Sequence, residues 1–225
     1  ICQINIFTLY HKVLFMSNQQ QPLDDLQHIK MMMERSSRFI SLSGLSGISA
    51  GLAALVGSWF AYKQLSTWVK GTNGFNNLLQ NLPIINNLVW IAVFTFIAAL
   101  ISAFAFTYLR SKKNNTPIWG NTTLRLLWNT IIPLLVGGAF IWRLMQLDQF
   151  LFVAPVCLSF YGLALVNASK YTLGEIRYLG YAQLILGVLN LWNLYYGLYF
   201  WATGFGVLHI IYGIIMWVKY EKSTS

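Results

Sequence analysis

Six apolar stretches, each long enough to cross a bilayer, occupy most of this chain and leave only short connections between them. A spanning helix needs about 20 mostly apolar residues. In hydrocarbon its backbone polar groups must be satisfied within the segment itself, which favours helices. The stretches run Phe39–Tyr62, Leu88–Leu109, Leu126–Met145, Phe150–Val166, Tyr178–Tyr196 and Ala202–Val218. They predict an all-α polytopic membrane helix bundle with six transmembrane helices over residues 38–220. Only 9% of residues are charged, against roughly a quarter in a soluble domain. Trp, Tyr and Phe make up 16%, and such rings collect at the headgroup level.

Basic residues set the orientation, because loops rich in Lys and Arg stay in the cytoplasm. With the amino end inside, Lys30, Arg35, Arg38, Arg110, Lys112, Lys113, Arg125, Lys170, Arg177, Lys219 and Lys222 all lie inside. Only Lys63, Lys70 and Arg143 lie outside. Both termini are therefore expected to be cytoplasmic. The net charge of +9 sits beside the spans, which points to anionic lipid headgroups and not to nucleic acid. Cys2 and Cys157 offer neither a disulfide framework nor metal-ligand spacing, and no cofactor is implied.

Residues 1–15 read as an upstream extension, since Met16 opens a hydrophilic start, Met16-Ser17-Asn18-Gln19. Residues 16–37 form a polar amino segment. Pro22, Asp24 and Asp25 suit the first turn of a helix. Leu23, Leu26, Ile29 and Met33 recur at helical spacing, as in a helix lying along the membrane surface. The same residues also fit a tail that continues the first span inward. Residues 221–225 form a cytoplasmic tail. The longest outer connection, Ser66 to Pro83, carries the turn signal Asn73-Gly74.

The first span holds the strongest packing signal. Ser43, Gly47 and Gly51 recur every four residues, and so do Ser46, Ala50, Ala54 and Ser58. Helices in lipid associate through close backbone approach across such small residues. This span is expected at the centre of the bundle, pressed against two neighbours, with its small-residue contact made inside the chain or, alternatively, in a dimer. A weaker pattern suggests three helical hairpins: Gly57, Gly137 and Gly187 are each followed five residues later by an aromatic, Tyr62, Trp142 and Trp192.

Ionisable residues within a span are functional candidates, and here they are few. His209 is the one imidazole at depth, Glu175 sits at the inner rim, and Asp148 lies within reach of Arg143 in the outer turn. The neutral polar set is Thr95, Ser102, Asn129, Cys157, Ser159, Gln183, Asn190 and Asn193. A final turn centred near Tyr199 would bring Asn190 and His209 level. Gln183, Gly187 and Asn190 share one face of the fifth span. Gly206, His209, Tyr212 and Gly213 share one face of the sixth. The expected polar cluster is Gln183, Asn190 and His209, as a small ligand or pH-responsive cavity or as a lock on helix register.

Gly44-Leu45-Ser46-Gly47 resembles the nucleophile motif of rhomboid intramembrane proteases, and Trp142-Arg143 resembles that family's loop dipeptide. That resemblance implies a Ser46–His209 pair. The order departs from the family's, which places the serine motif in the fourth span and the Trp-Arg pair after the first. The tract from Arg35 to Tyr62, opening Arg35-Ser36-Ser37-Arg38, resembles small uncharacterised bacterial six-span inner-membrane proteins and implies that location. Cation-coupled transport would call for carboxylates in mid-span, and nucleotide binding for a soluble phosphate-cradling loop. The expectation is a non-enzymatic interaction, scaffold or sensor component with a membrane or cytoplasmic protein partner. The alternative is a small carrier or channel for a neutral or weakly polar molecule.

Overall fold

Hydrocarbon as solvent makes the helix the default state of every long apolar run, and the described residues follow this. A computed structural model describes residues 43–71, 82–113, 119–220 and 222. Among these residues the secondary structure is helical, without strands. The helices are α1 (Gly44–Gly71), α2 (Leu82–Lys113), α3 (Asn121–Gln146), α4 (Val153–Ala168), α5 (Ile176–Trp192), α6 (Gly197–Trp201) and α7 (His209–Tyr220). A 3-10 turn, Phe150–Phe152, leads into α4. A π-helical segment, Ala202–Leu208, fuses α6 to α7 into one rod. The expected segment 1–37, the Asn73-Gly74 turn and most of the 221–225 tail lie outside the described residues.

Five helices are long and apolar enough to cross a membrane: Gly44–Thr67, Pro83–Lys113, Asn121–Gln146, Phe150–Ala168 and Leu194–Tyr220. The helix α5, at 17 residues, spans about 25 Å. This is the architecture of an integral membrane helix bundle. Exposed rings gather toward both ends. Trp59, Tyr62, Trp142, Trp192, Tyr195 and Tyr199 lie toward one end, and Tyr108, Trp119, Trp128 and Tyr178 toward the other. Such rings anchor helices at the two headgroup levels.

Two boundaries differ from the sequence expectation. First, α1 continues to Gly71, so Ser66 to Gly71 is helical and not part of the outer connection. Second, the fifth helix ends at Trp192, and the turn falls at Asn193 (φ −130°, ψ 51°) instead of near Tyr199. Asn side chains offer the backbone a non-helical alternative. Here Asn190 Nδ2 donates to the Asn193 carbonyl at 2.9 Å, and Asn193 Nδ2 donates to the Leu189 carbonyl at 3.1 Å. The rod therefore starts earlier than expected, and His209 lies far below the turn. At the α3–α4 connection, on the same side, Arg143 donates to Gln146 Oε1 at 3.2 Å, in place of the expected Asp148 contact. Asp148 itself adopts the left-handed backbone (φ 56°) that closes the turn.

The helix α1 lies between α2 and the rod. An ideal Cβ on Gly44 would fall 2.5 Å from the Gly213 carbonyl oxygen and from the Trp217 nitrogen. On Gly51 it would fall 2.7 Å from the Gly206 carbonyl oxygen. On Gly47 the closest approach, to Gly213 Cα, is 3.1 Å. On its other side Gly57 meets the Thr95 side chain of α2. Ser43, Ser46, Ala54 and Ser58 are buried, and Ala50 is half-buried. The glycine and serine ridges thus do the packing inside one chain. Of the two outward glycines that follow in the pattern, Gly137 meets Phe160 and Gly187 meets Ser159, both on α4.

Most polar side chains within the spans bond to their own helix. Ser58 donates to the Ala54 carbonyl at 3.0 Å and Thr95 to Ile91 at 2.7 Å. Ser102 donates to Ala99 at 3.0 Å, Asn129 to Arg125 at 2.8 Å and Thr130 to Leu126 at 2.8 Å. Such back-bonding satisfies these groups locally. Pro133 sits inside α3, where membrane helices tolerate it.

Candidate functional site

Polar side chains that reach another helix meet where α4, α5 and the rod converge. The Gly204 carbonyl in the π segment accepts two of them. Gln183 Nε2, from α5, donates at 2.7 Å. His209 Nδ1, from the start of α7, lies at 3.0 Å. A carbonyl oxygen only accepts, so Nδ1 carries the hydrogen and Nε2 is left as an acceptor. The Tyr161 hydroxyl, from α4, donates to that Nε2 at 2.7 Å. The imidazole is thereby held at both nitrogens, and its tautomer is fixed.

Sequence chemistry explains why the three helices close here. An ideal Cβ at position 204 would fall 2.5 Å from Leu158 Cδ2 and 2.6 Å from Gln183 Oε1. Only glycine lets the π segment lie this close to both α4 and α5. Extra-wide π turns of this kind recur at functional sites. Rings clamp the imidazole from two sides: Tyr161 at 5.4 Å and Phe205 at 6.1 Å between centroids. Gln183 and Asn190 are fully buried, and His209 is nearly so.

Of the three expected cluster residues, Gln183 and His209 converge on one carbonyl. Asn190 does not join them. It sits at the last turn of α5, bonded to Asn193, because the turn comes six residues before the expected Tyr199. The pairing of Asn190 with His209 at one depth is therefore corrected. The serine motif lies near His209 in depth, since Gly47 packs beside the His209 carbonyl. The two side chains are nonetheless occupied elsewhere: Ser46 Oγ donates to the Ser43 carbonyl at 2.5 Å, and both ring nitrogens of His209 are engaged as above.

Tyr161 escaped the sequence reading. Its signal was present, because a tyrosine hydroxyl buried in an apolar run needs a partner. Among the described residues, three buried side-chain atoms lack a hydrogen-bond partner: Gln183 Oε1, Asn190 Oδ1 and the Tyr212 hydroxyl. Tyr212 belongs to a buried cluster with Leu173, Ile176, Leu179 and Met216, against which Leu165 of α4 packs. All three atoms therefore belong to the same α4–α5–rod seam.

The seam ends at a charged rim. Glu175 Oε1 accepts from Lys219 Nζ and from the Tyr220 hydroxyl at 2.8 Å. Burial pushes the Glu175 carboxyl up, but the hydrogen bonds from Lys219 and Tyr220 outweigh it and hold the group below its ordinary value. A lowered carboxylate contributes stability above its unfolded pKa, about 4.3, and loses it as pH falls through the lowered value. The wild-type melting temperature in detergent is accordingly expected to fall more than that of Glu175→Gln as pH drops below that range. The difference should be small, because Lys219 is exposed and water screens the pair. Parallel melting curves for the two proteins across that range would contradict the pairing.

Searches against protein-family models, curated proteins and solved structures returned no match.

Proposed function

We propose that this integral membrane protein is a non-enzymatic interaction, scaffold or sensor component of a bacterial inner membrane, with both termini and its basic loops in the cytoplasm. One observation carries the reading. The buried polar side chains Tyr161, His209 and Gln183 are spent on tying α4, α5 and the rod together through Gly204. Interhelical bonds of this kind fix register in lipid, each contributing on the order of 1 kcal/mol. Among the surfaces left to engage anything else are the apolar wall of α2 and the basic ends. That wall exposes Phe94, Phe96, Ile101 and Phe104, and α2 ends in Arg110, Lys112 and Lys113. Lipid and a protein partner both suit the wall, while anionic headgroups suit the basic ends.

Photo-crosslinking amino acids placed at Phe96, Ile101 and Phe104 in cells test this. A discrete protein adduct, of the same mass from at least two positions, is expected. Lipid adducts alone at all three positions would overturn the partner reading.

A second reading rests on a different observation, the unpartnered Gln183 Oε1 and Asn190 Oδ1. Acceptors left open in a membrane seam suit passage of a small neutral or weakly polar molecule.

A further inference from the structure

We propose that the seam between α4, α5 and the rod binds a file of internal waters and carries protons across the membrane domain. This goes beyond the second reading above and starts from the same open acceptors. A buried polar atom without a partner is costly in a low-dielectric interior and calls for an explanation. Internal water is the usual one, and it needs two to four polar neighbours. The unpartnered atoms found among the described residues, Asn190 Oδ1, Gln183 Oε1 and the Tyr212 hydroxyl, all face this one seam. They are spread along its length, not gathered at one point.

Their order completes the path. Asn190 lies beside Gly197 and Ala154 at the Asn193 turn. Gly187, three residues back along α5, is notched against Ser159 of α4. Gln183 follows, sharing the Gly204 carbonyl with His209. Tyr161 connects to the other ring nitrogen. Tyr212 lies one turn beyond His209 along α7, and Leu165, which packs against the cluster that contains Tyr212, lies one turn beyond Tyr161 along α4. Glu175, with Lys219 and Tyr220, forms the mouth. From Glu175 to Asn190 the seam covers about 22 Å of helix rise, most of a hydrocarbon core of about 30 Å. The remaining ionisable neighbour on α4 is Cys157, one turn before Tyr161, and α1 presents Gly47 to the His209 carbonyl.

The transfer balances without another reactant. A proton entering at Glu175 moves as a hydronium charge along the waters at the Tyr212 hydroxyl, Gln183 Oε1 and Asn190 Oδ1, each water taking one proton and releasing another to the next. Rotation of the waters restores the starting state. Tyr161 and His209 keep their own protons and hold the three helices in register around the file.

The test uses the full chain in sealed phosphatidylcholine–phosphatidylglycerol vesicles that contain a pH-sensitive dye, with the membrane potential clamped by potassium and valinomycin. After a pH step, wild type is expected to equilibrate at least ten-fold faster than empty vesicles. Tyr212→Phe and Gln183→Leu should be at least ten-fold slower than wild type, and Asn129→Ala, on the exposed face of α3, unchanged. Tyr212→Phe removes only an unbonded oxygen, so it decides the matter should Gln183→Leu fail to fold. Wild-type rates equal to empty vesicles would overturn the proposal, as would a folded Tyr212→Phe that conducts like wild type. Glycerol-driven swelling of the same vesicles separates the two ideas. Glycerol entry without proton entry removes the proton path and leaves the neutral-solute reading standing.

Discussion

Gly213→Ala is expected to lower the unfolding free energy in detergent by about 3 kcal/mol, the upper end of ordinary overpacking costs. An ideal Cβ there would fall 2.6 Å from both the Gly44 carbonyl oxygen and the Ile48 nitrogen. Both are backbone atoms of α1, so no rotamer change relieves the clash and the helices must separate. Separation then weakens the whole α1–rod contact, including Gly44 against Trp217 and Gly51 against Ile210. Gly47→Ala makes the comparison sharp. Its nearest neighbours lie at 3.1 to 3.4 Å, so a shift of a few tenths of an ångström accommodates it, at about 1 kcal/mol. Gly138, with nothing within 4 Å of an ideal Cβ, should accept alanine without loss. Denaturant unfolding of the three variants in one detergent gives the ranking. Equal stability of Gly213→Ala and Gly138→Ala would contradict the α1–rod packing.

The second large effect belongs to His209. His209→Leu removes the acceptor of Tyr161 and one of the two donors to Gly204. It leaves a phenol buried without a partner, at a cost of about 2 kcal/mol. Tyr161→Phe in the His209→Leu background should then cost far less than in wild type, because its hydroxyl has already lost its bond. The coupling expected from such a double-mutant cycle is about 1 kcal/mol, as for other interhelical bonds in membranes. Additive losses would mean that the two side chains do not bond. His209→Gln keeps a donor and an acceptor on one side chain and is expected to retain more stability than His209→Leu.

Much of the helical architecture was legible because apolar length is a direct consequence of bilayer thickness. The glycine ridge of α1 was legible for a similar reason, since small residues every four positions mark close approach whatever the partner. What the ridge packs against was not, because Gly213, Gly206 and Trp217 lie more than 150 residues downstream and nothing local links them. The turn at Asn193 was hidden inside a nearly unbroken apolar and aromatic run from Leu184 to Phe205. There the side chains of Asn190 and Asn193 end the helix, and hydropathy does not register them as a break. Moving that turn shifts every depth that follows, which is why Asn190 and His209 part company. Tyr161 was lost through its chemistry: a ring that reads as apolar carries the hydroxyl that completes the His209 site.

These interactions all presuppose that lipid surrounds the helices. The wide exposed row on α2, Phe94, Phe96, Ile101 and Phe104 among others, would be untenable in water, where apolar patches beyond a few hundred Å² drive association. Alkaline carbonate extraction of membranes from expressing cells, followed by ultracentrifugation, tests this most directly. The full chain should remain in the membrane pellet and enter solution only with detergent; recovery of the folded chain in the detergent-free supernatant would contradict a membrane-spanning bundle.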